Sequence, residues 1–124
     1  MYPDDLKYSK DHEWVRMDGN IAQIGVTVFA QDSLGDIVFV DLPDVGTEIG
    51  QFDKFGEIES VKAVSDLFSP VAGVVVETNP GAIENPETVN ADPYGVGWLI
   101  KLEVSDPAHL DSLMDSETYE ATLD

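Results

Sequence analysis

The chain has no cysteine, and it has only six basic residues against 25 acidic ones. Without cysteine there is no disulfide framework, no thiolate metal site and no thiol nucleophile. Histidine is nearly as scarce. His12 and His109 are the only two and sit in unrelated contexts, so neither a His/Cys metal cluster nor a Ser-His-Asp constellation can be assembled from the pattern. No Gly-x-Ser-x-Gly elbow, Walker loop, Gly-x-Gly-x-x-Gly turn or Asp-x-Asp-x-Asp-Gly calcium loop occurs. No apolar run is long enough to span a bilayer, and Met1 to Asp5 lacks the basic and apolar regions of a signal peptide. That points to the cytoplasm, or to a mitochondrion only for a processed eukaryotic form. The net charge of −19 argues against nucleic acid and against an anionic membrane as partners, because both are polyanions.

What remains is a chain of 124 residues, 43% of them hydrophobic, enough for one domain with one core. Glu13 to Met17 alternates polar and apolar side chains, as a half-buried strand does. Asp18-Gly19-Asn20 turns the chain into a second strand, Ile21 to Val26. Thr27 is placed to cap a short helix that stops at Gly35. Asp36 to Leu42, Phe55 to Val61, Val64 to Phe68, Val74 to Thr78 and Trp98 to Val104 read as strands, and Thr47 to Gly50 as a short strand or an extended piece. Residues 79–95 carry four Asn or Asp, three Pro and two Gly, and read as a long irregular connection with room for one helical turn. Asp106-Pro107 begins a helix, and Glu117 to Leu123 forms another. The expected fold is therefore mostly β, a flattened barrel or sandwich of short antiparallel strands. The core strands span about 13–104, and two C-terminal helices at about 106–123 cover strand edges.

One lysine stands apart. Lys62 lies between Val61 and Val64, and the short unit Lys62-Ala63 reads as the tip of a tight hairpin stiffened by the two valines. A lysine there is accessible. It has no low-dielectric pocket to lower its pKa, so alone it is a poor Schiff-base or general-base residue. It is either an ordinary solvated turn residue or an acceptor for a modifying enzyme, and spacing alone does not separate the two.

The surrounding residues do. Glu59-Ser60-Val61-Lys62-Ala63, with Ser65-Asp66 and Ser69-Pro70, resembles the lipoylation site of the glycine cleavage system H-protein family, the lipoyl carrier proteins. His12-Glu13-Trp14-Val15 resembles that family's His-Glu-Trp signature. Leu34 to Val40 with Leu42-Pro43 resembles its central strand. Val89-Asn90, Asp92 to Gly95 and Gly97-Trp98-Leu99 are similar to its late segment. A biotin carrier is expected to have methionines on both sides of the lysine, where this chain has Val61 and Ala63.

The resemblance implies a lipoyl-domain-like fold, the barrel-sandwich hybrid, and lipoate in amide linkage on Lys62. It implies a non-catalytic carrier that takes an aminomethyl group from a pyridoxal-phosphate glycine decarboxylase (P-protein) to an aminomethyltransferase (T-protein). A dihydrolipoyl dehydrogenase (L-protein) reoxidises the arm, and a lipoate ligase or lipoyltransferase installs it. It also implies an arm-docking cleft at Glu13 and Asp66, with Asp11 where some members have serine. An ammonium leaving water needs such carboxylate partners. Two other classes stay open: an H-like relay protein that passes lipoate to other acceptors, and a plain acidic ligand-binding barrel with an enclosed apolar pocket. One departure from the family pattern is Phe52, where many members have glycine.

Overall fold

Alternation along the strands decides which side chains become core. In a computed structural model describing residues 2–123, Ala22, Ile24 and Val26 are buried on one side of their strand, while Ile21 and Gln23 keep part of their surface. Among the described residues nine strands form: β1 Lys7–Tyr8, β2 Glu13–Asp18, β3 Ile21–Val26, β4 Ile37–Asp41, β5 Glu48–Ile49, β6 Lys54–Ser60, β7 Val64–Phe68, β8 Gly73–Thr78 and β9 Ile100–Val104. They make a six-stranded sheet in the order β1-β2-β3-β9-β8-β5 and a three-stranded sheet in the order β4-β6-β7, all paired antiparallel. Val15, Ile24 and Leu102 of the large sheet share one apolar cluster with Val40, Ile58 and Leu67 of the small sheet. This is a flattened sandwich of two sheets around one core.

The helix expected after Thr27 is α1, Val28–Leu34, with the Thr27 hydroxyl accepting from the Ala30 N–H. Residues 79–95 are more regular than their composition suggests. They hold α2, Pro80–Glu84, and α3, Glu87–Ala91. The signal for α2 was present, since Asn79 caps it and Pro80 opens it, the usual arrangement at a helix start. The segment after Asp106 is a 3-10 helix over Pro107–Ser112, and α4 spans Ser116–Ala121 behind the Asp115 cap. Between those two helices, Met114 exchanges both backbone hydrogen bonds with Tyr8 at 2.8 Å, so the C-terminal segment closes the outer edge of β1.

A second apolar cluster ties that segment down. Tyr8 and Tyr119 stack with ring centroids 4.8 Å apart, beside Leu6 and Trp14. The Tyr119 hydroxyl also meets His12 Nδ1 at 2.7 Å and Thr27 Oγ1 at 2.8 Å. Gly25 matters here because a Cβ on it would come within 2.7 Å of the Trp14 ring. The helix α4 is thereby fixed to the turn that delivers Glu13.

Candidate functional site

The β6–β7 hairpin is pinned at its tip by one hydroxyl. Ser60 N–H donates to the Ala63 carbonyl at 2.8 Å, and Ser60 Oγ accepts from the N–H groups of Lys62 (3.2 Å) and Ala63 (3.1 Å). The two central residues are therefore Val61-Lys62. The expected tip, Lys62-Ala63, is displaced by one residue because Ser60 and Ala63 pair with each other. The tip is also tied sideways, since Val61 N–H donates to the Asp36 carbonyl at 3.1 Å. The valines do not stiffen it by packing: Val61 is 70% exposed and Val64 57%.

Lys62 is exposed, and among the described residues its amine makes no ion pair or hydrogen bond. Its stem passes over Gly35, where the nearest contact for an added Cβ would be Lys62 Cε at 3.7 Å. These residues fit an amide-linked prosthetic group. Acylation removes the lysine's charge, and here it would break no ion pair. The amine also needs no rearrangement of the fold to be reached.

At the far end of β7 the chemistry reverses. The turn Ser9 to Glu13 is closed by Ser9 N–H to the Glu13 carbonyl (2.9 Å), with His12 in the left-handed region at φ 69°. It delivers the Glu13 carboxyl to β7 at 2% exposure. Glu13 Oε1 accepts from the Ser9 hydroxyl at 2.7 Å, and Oε2 accepts from the Phe68 N–H at 3.3 Å. Among the described residues no cation lies against it. Burial pushes its pKa up to about 8; the Ser9 and Phe68 hydrogen bonds oppose the shift, and the charge of Asp11 adds to it.

Asp66 precedes Phe68 by two residues on β7 and so projects from the same face. Its side chain is about half exposed and pairs with Lys54 Nζ at 3.2 Å. The structure thus joins Glu13 to β7 directly, engages Asp66 with Lys54 instead, and leaves Asp11 two residues from Glu13, where it acts through its charge. From Val64 to Phe68 is four residue steps, about 13 Å of strand, which is the separation between the Lys62 end and the Glu13 end.

Two further residues shape the site. Ser9, four positions before Glu13, holds the carboxyl through its side chain and accepts from the Glu13 N–H at 3.1 Å. Nothing in its local sequence singled it out. Phe52 has φ 64°, which explains why glycine suits this position, and its N–H donates to the Ser69 carbonyl at 2.6 Å. The departure from the family pattern at Phe52 was the available signal.

Among the described residues, no group of three His, Cys, Asp or Glu side chains is arranged to hold a metal ion. No helix there is long and apolar enough to cross a membrane. Grooves of about 430, 330 and 300 Å³ open at the surface, around Glu48 and Gly73, Arg16 and Lys101, and Phe52 and Met114.

Comparison with known proteins gives a consistent picture. The model of the family described as glycine cleavage H-protein matches residues 6–124. A glycine cleavage system H protein from Carboxydothermus hydrogenoformans is 60% identical over 122 residues, covering 98% of this chain and 94% of the relative. Another, from Symbiobacterium thermophilum, is 58% identical over 119 residues, covering 96% and 93%. The crystal structure of a glycine cleavage system H protein from Mycobacterium marinum superposes with a TM-score of 0.87 at 37% identity, covering 97% of both chains.

Proposed function

Because the chain belongs to the glycine cleavage H-protein family, whose members are lipoyl carriers and not themselves catalysts, we propose that Lys62 is its lipoate attachment point. Lipoate held there would supply a redox-active disulfide for carrying an aminomethyl group between the P-protein and the T-protein, with the L-protein as its reoxidising partner. The chain's own residues do the positioning. Ser60 fixes the tip through two backbone N–H groups, so Lys62 is presented from a rigid base. Glu13, with Ser9 and Phe68 holding its two oxygens, offers a buried carboxyl to a cationic amine brought alongside it. Asp66 and Asp11 are its outer partners in this reading. Asp66 must give up part of its pairing with Lys54 to serve. Modification of Lys62 by a lipoate ligase or lipoyltransferase, in a cytoplasmic setting, belongs to the same proposal.

The observation that carries it is the exposed, unpaired amine on a tip locked by Ser60. The test has two parts. Intact mass of protein from its own host, grown with lipoate, is expected to show one lipoyl increment on the Lys62 peptide. Lys62→Ala is expected to abolish glycine–bicarbonate exchange with P-protein. An unmodified Lys62, or full exchange by the alanine variant, overturns the proposal. Lipoylation without any exchange identifies a relay protein instead.

A further inference from the structure

Lys62 stands in an apolar surround that the fold does not use. Val61 and Val64 are exposed, as noted, and so are Phe39 at 53% and Val38 at 50%. Register places Phe39 opposite Glu59 and Glu59 opposite Val64, so these three form one row across the outer face of the small sheet. Val38 sits at the irregularity between Ile37 and Phe39, and Val61 sits at the tip, so both extend that row toward the lysine. The next row is Asp41, Glu57 and Asp66, three carboxylates directly opposite one another, with Lys54 alone pairing to two of them. Like charges in direct cross-strand register cost stability, and exposed apolar side chains contribute little to it. A second copy is a poor occupant of this face, because two chains of −19 repel. A partner with an apolar mouth and a basic rim matches both rows.

We propose that Val38, Phe39, Val61 and Val64 form the collar gripped by the enzyme that acylates Lys62. This rests on the reading of Lys62 as the lipoate attachment point. The reason is reach. An acylating enzyme must bring an activated carbonyl carbon to bonding distance of Lys62 Nζ, and so must close over the residues around it. Enzymes that work at the far end of an attached arm stand off by the arm's length and need not cover the collar. In the step itself the neutral amine attacks an acyl-adenylate made from lipoate and ATP. The C–N bond forms, the C–O bond to AMP breaks, and one proton leaves the nitrogen.

The test uses the unmodified chain, lipoate, ATP and a purified lipoate ligase. Phe39→Thr/Val61→Thr/Val64→Thr places a β-branched side chain at three exposed positions and is expected to melt with the wild type. Its KM as protein substrate is expected to rise about tenfold, with kcat within about twofold. Once acylated at saturating concentration, the variant is expected to be reduced by NADH through dihydrolipoyl dehydrogenase at the wild-type rate. An unchanged ligase KM overturns the collar while leaving Lys62 acylation intact. Equal losses in the ligase and dehydrogenase assays overturn its selectivity for attachment. A wild-type dimer that the variant loses in sedimentation makes the face a contact between copies and also overturns the proposal. Failure of the wild type to be acylated at Lys62 removes the underlying reading itself.

Discussion

The two ends of β7 solve opposite problems. At the Val64 end, Lys62 is in solvent, its amine unpaired among the described residues and its neighbours exposed. At the Phe68 end, a carboxyl is 2% exposed and both its oxygens are held by hydrogen bonds. The tip spends almost none of the chain's stability. The Glu13 end is embedded in it, through the Ser9 turn, the Phe52 contact to Ser69 and the Tyr119 hydroxyl on His12. An exposed side chain without partners can be changed without disturbing the fold, whereas a buried carboxyl held by two donors has to be built into it.

The largest test of this contrast is the titration of Glu13. Its pKa in the folded chain, about 8, lies above the ordinary 4.5, so the folded chain keeps a proton that the unfolded chain has released. That contribution to stability is complete below pH 4.5 and is lost as pH rises toward 8, by up to about 1.4 kcal/mol per pH unit in that window. Glu13→Gln removes the dependence. Denaturant unfolding of both proteins across the window is expected to show the wild type falling relative to the variant by a few kcal/mol. Parallel curves for the two would mean that Glu13 titrates like a surface carboxylate.

A smaller effect is expected at Tyr119→Phe. The substitution keeps the stacked ring and removes the hydroxyl from His12 Nδ1 and Thr27 Oγ1, at a cost of about 1–2 kcal/mol. If thermal unfolding shows no loss, the hydroxyl is not what holds α4 to the Glu13 turn. Smallest of all is Lys62→Ala. With no partner to lose, it is expected to shift stability by less than about 0.5 kcal/mol, the range of an ordinary surface substitution. A clear drop in melting temperature would show that the tip is part of the structural core after all.

Alternation made the strands legible in the sequence, and the wider motif singled out Lys62 as the proposed attachment point. The sequence left the tip one residue off, because a hydroxyl replacing a backbone acceptor, as Ser60 does, has no periodic signature. It gave no sign that Glu13 is buried. Glu13, Trp14 and Val15 are all buried, and alternation cannot describe a strand covered on both sides. The strand β1 was invisible for another reason: it is two residues long, Lys7 and Tyr8 pairing with Val15 and Trp14 of β2, and only Tyr8 is also met by the distant Met114. The helices α2 and α3 were hidden by composition, since the Asn and Pro that suggested a loop act at their starts and ends.

The Ser60 hydroxyl has one consequence for transport. Because it holds the tip amides of Lys62 and Ala63 together, the anchor of any arm on Lys62 is a fixed point on the protein. The space such an arm searches is then a cap whose radius is set by the arm alone, with no added slack from a floppy loop. For a short tether this keeps the local concentration of its end in the millimolar range, on the order of 1 mM or above. Loosening residue 60 would dilute the end of such an arm wherever it reached, without altering a single contact there.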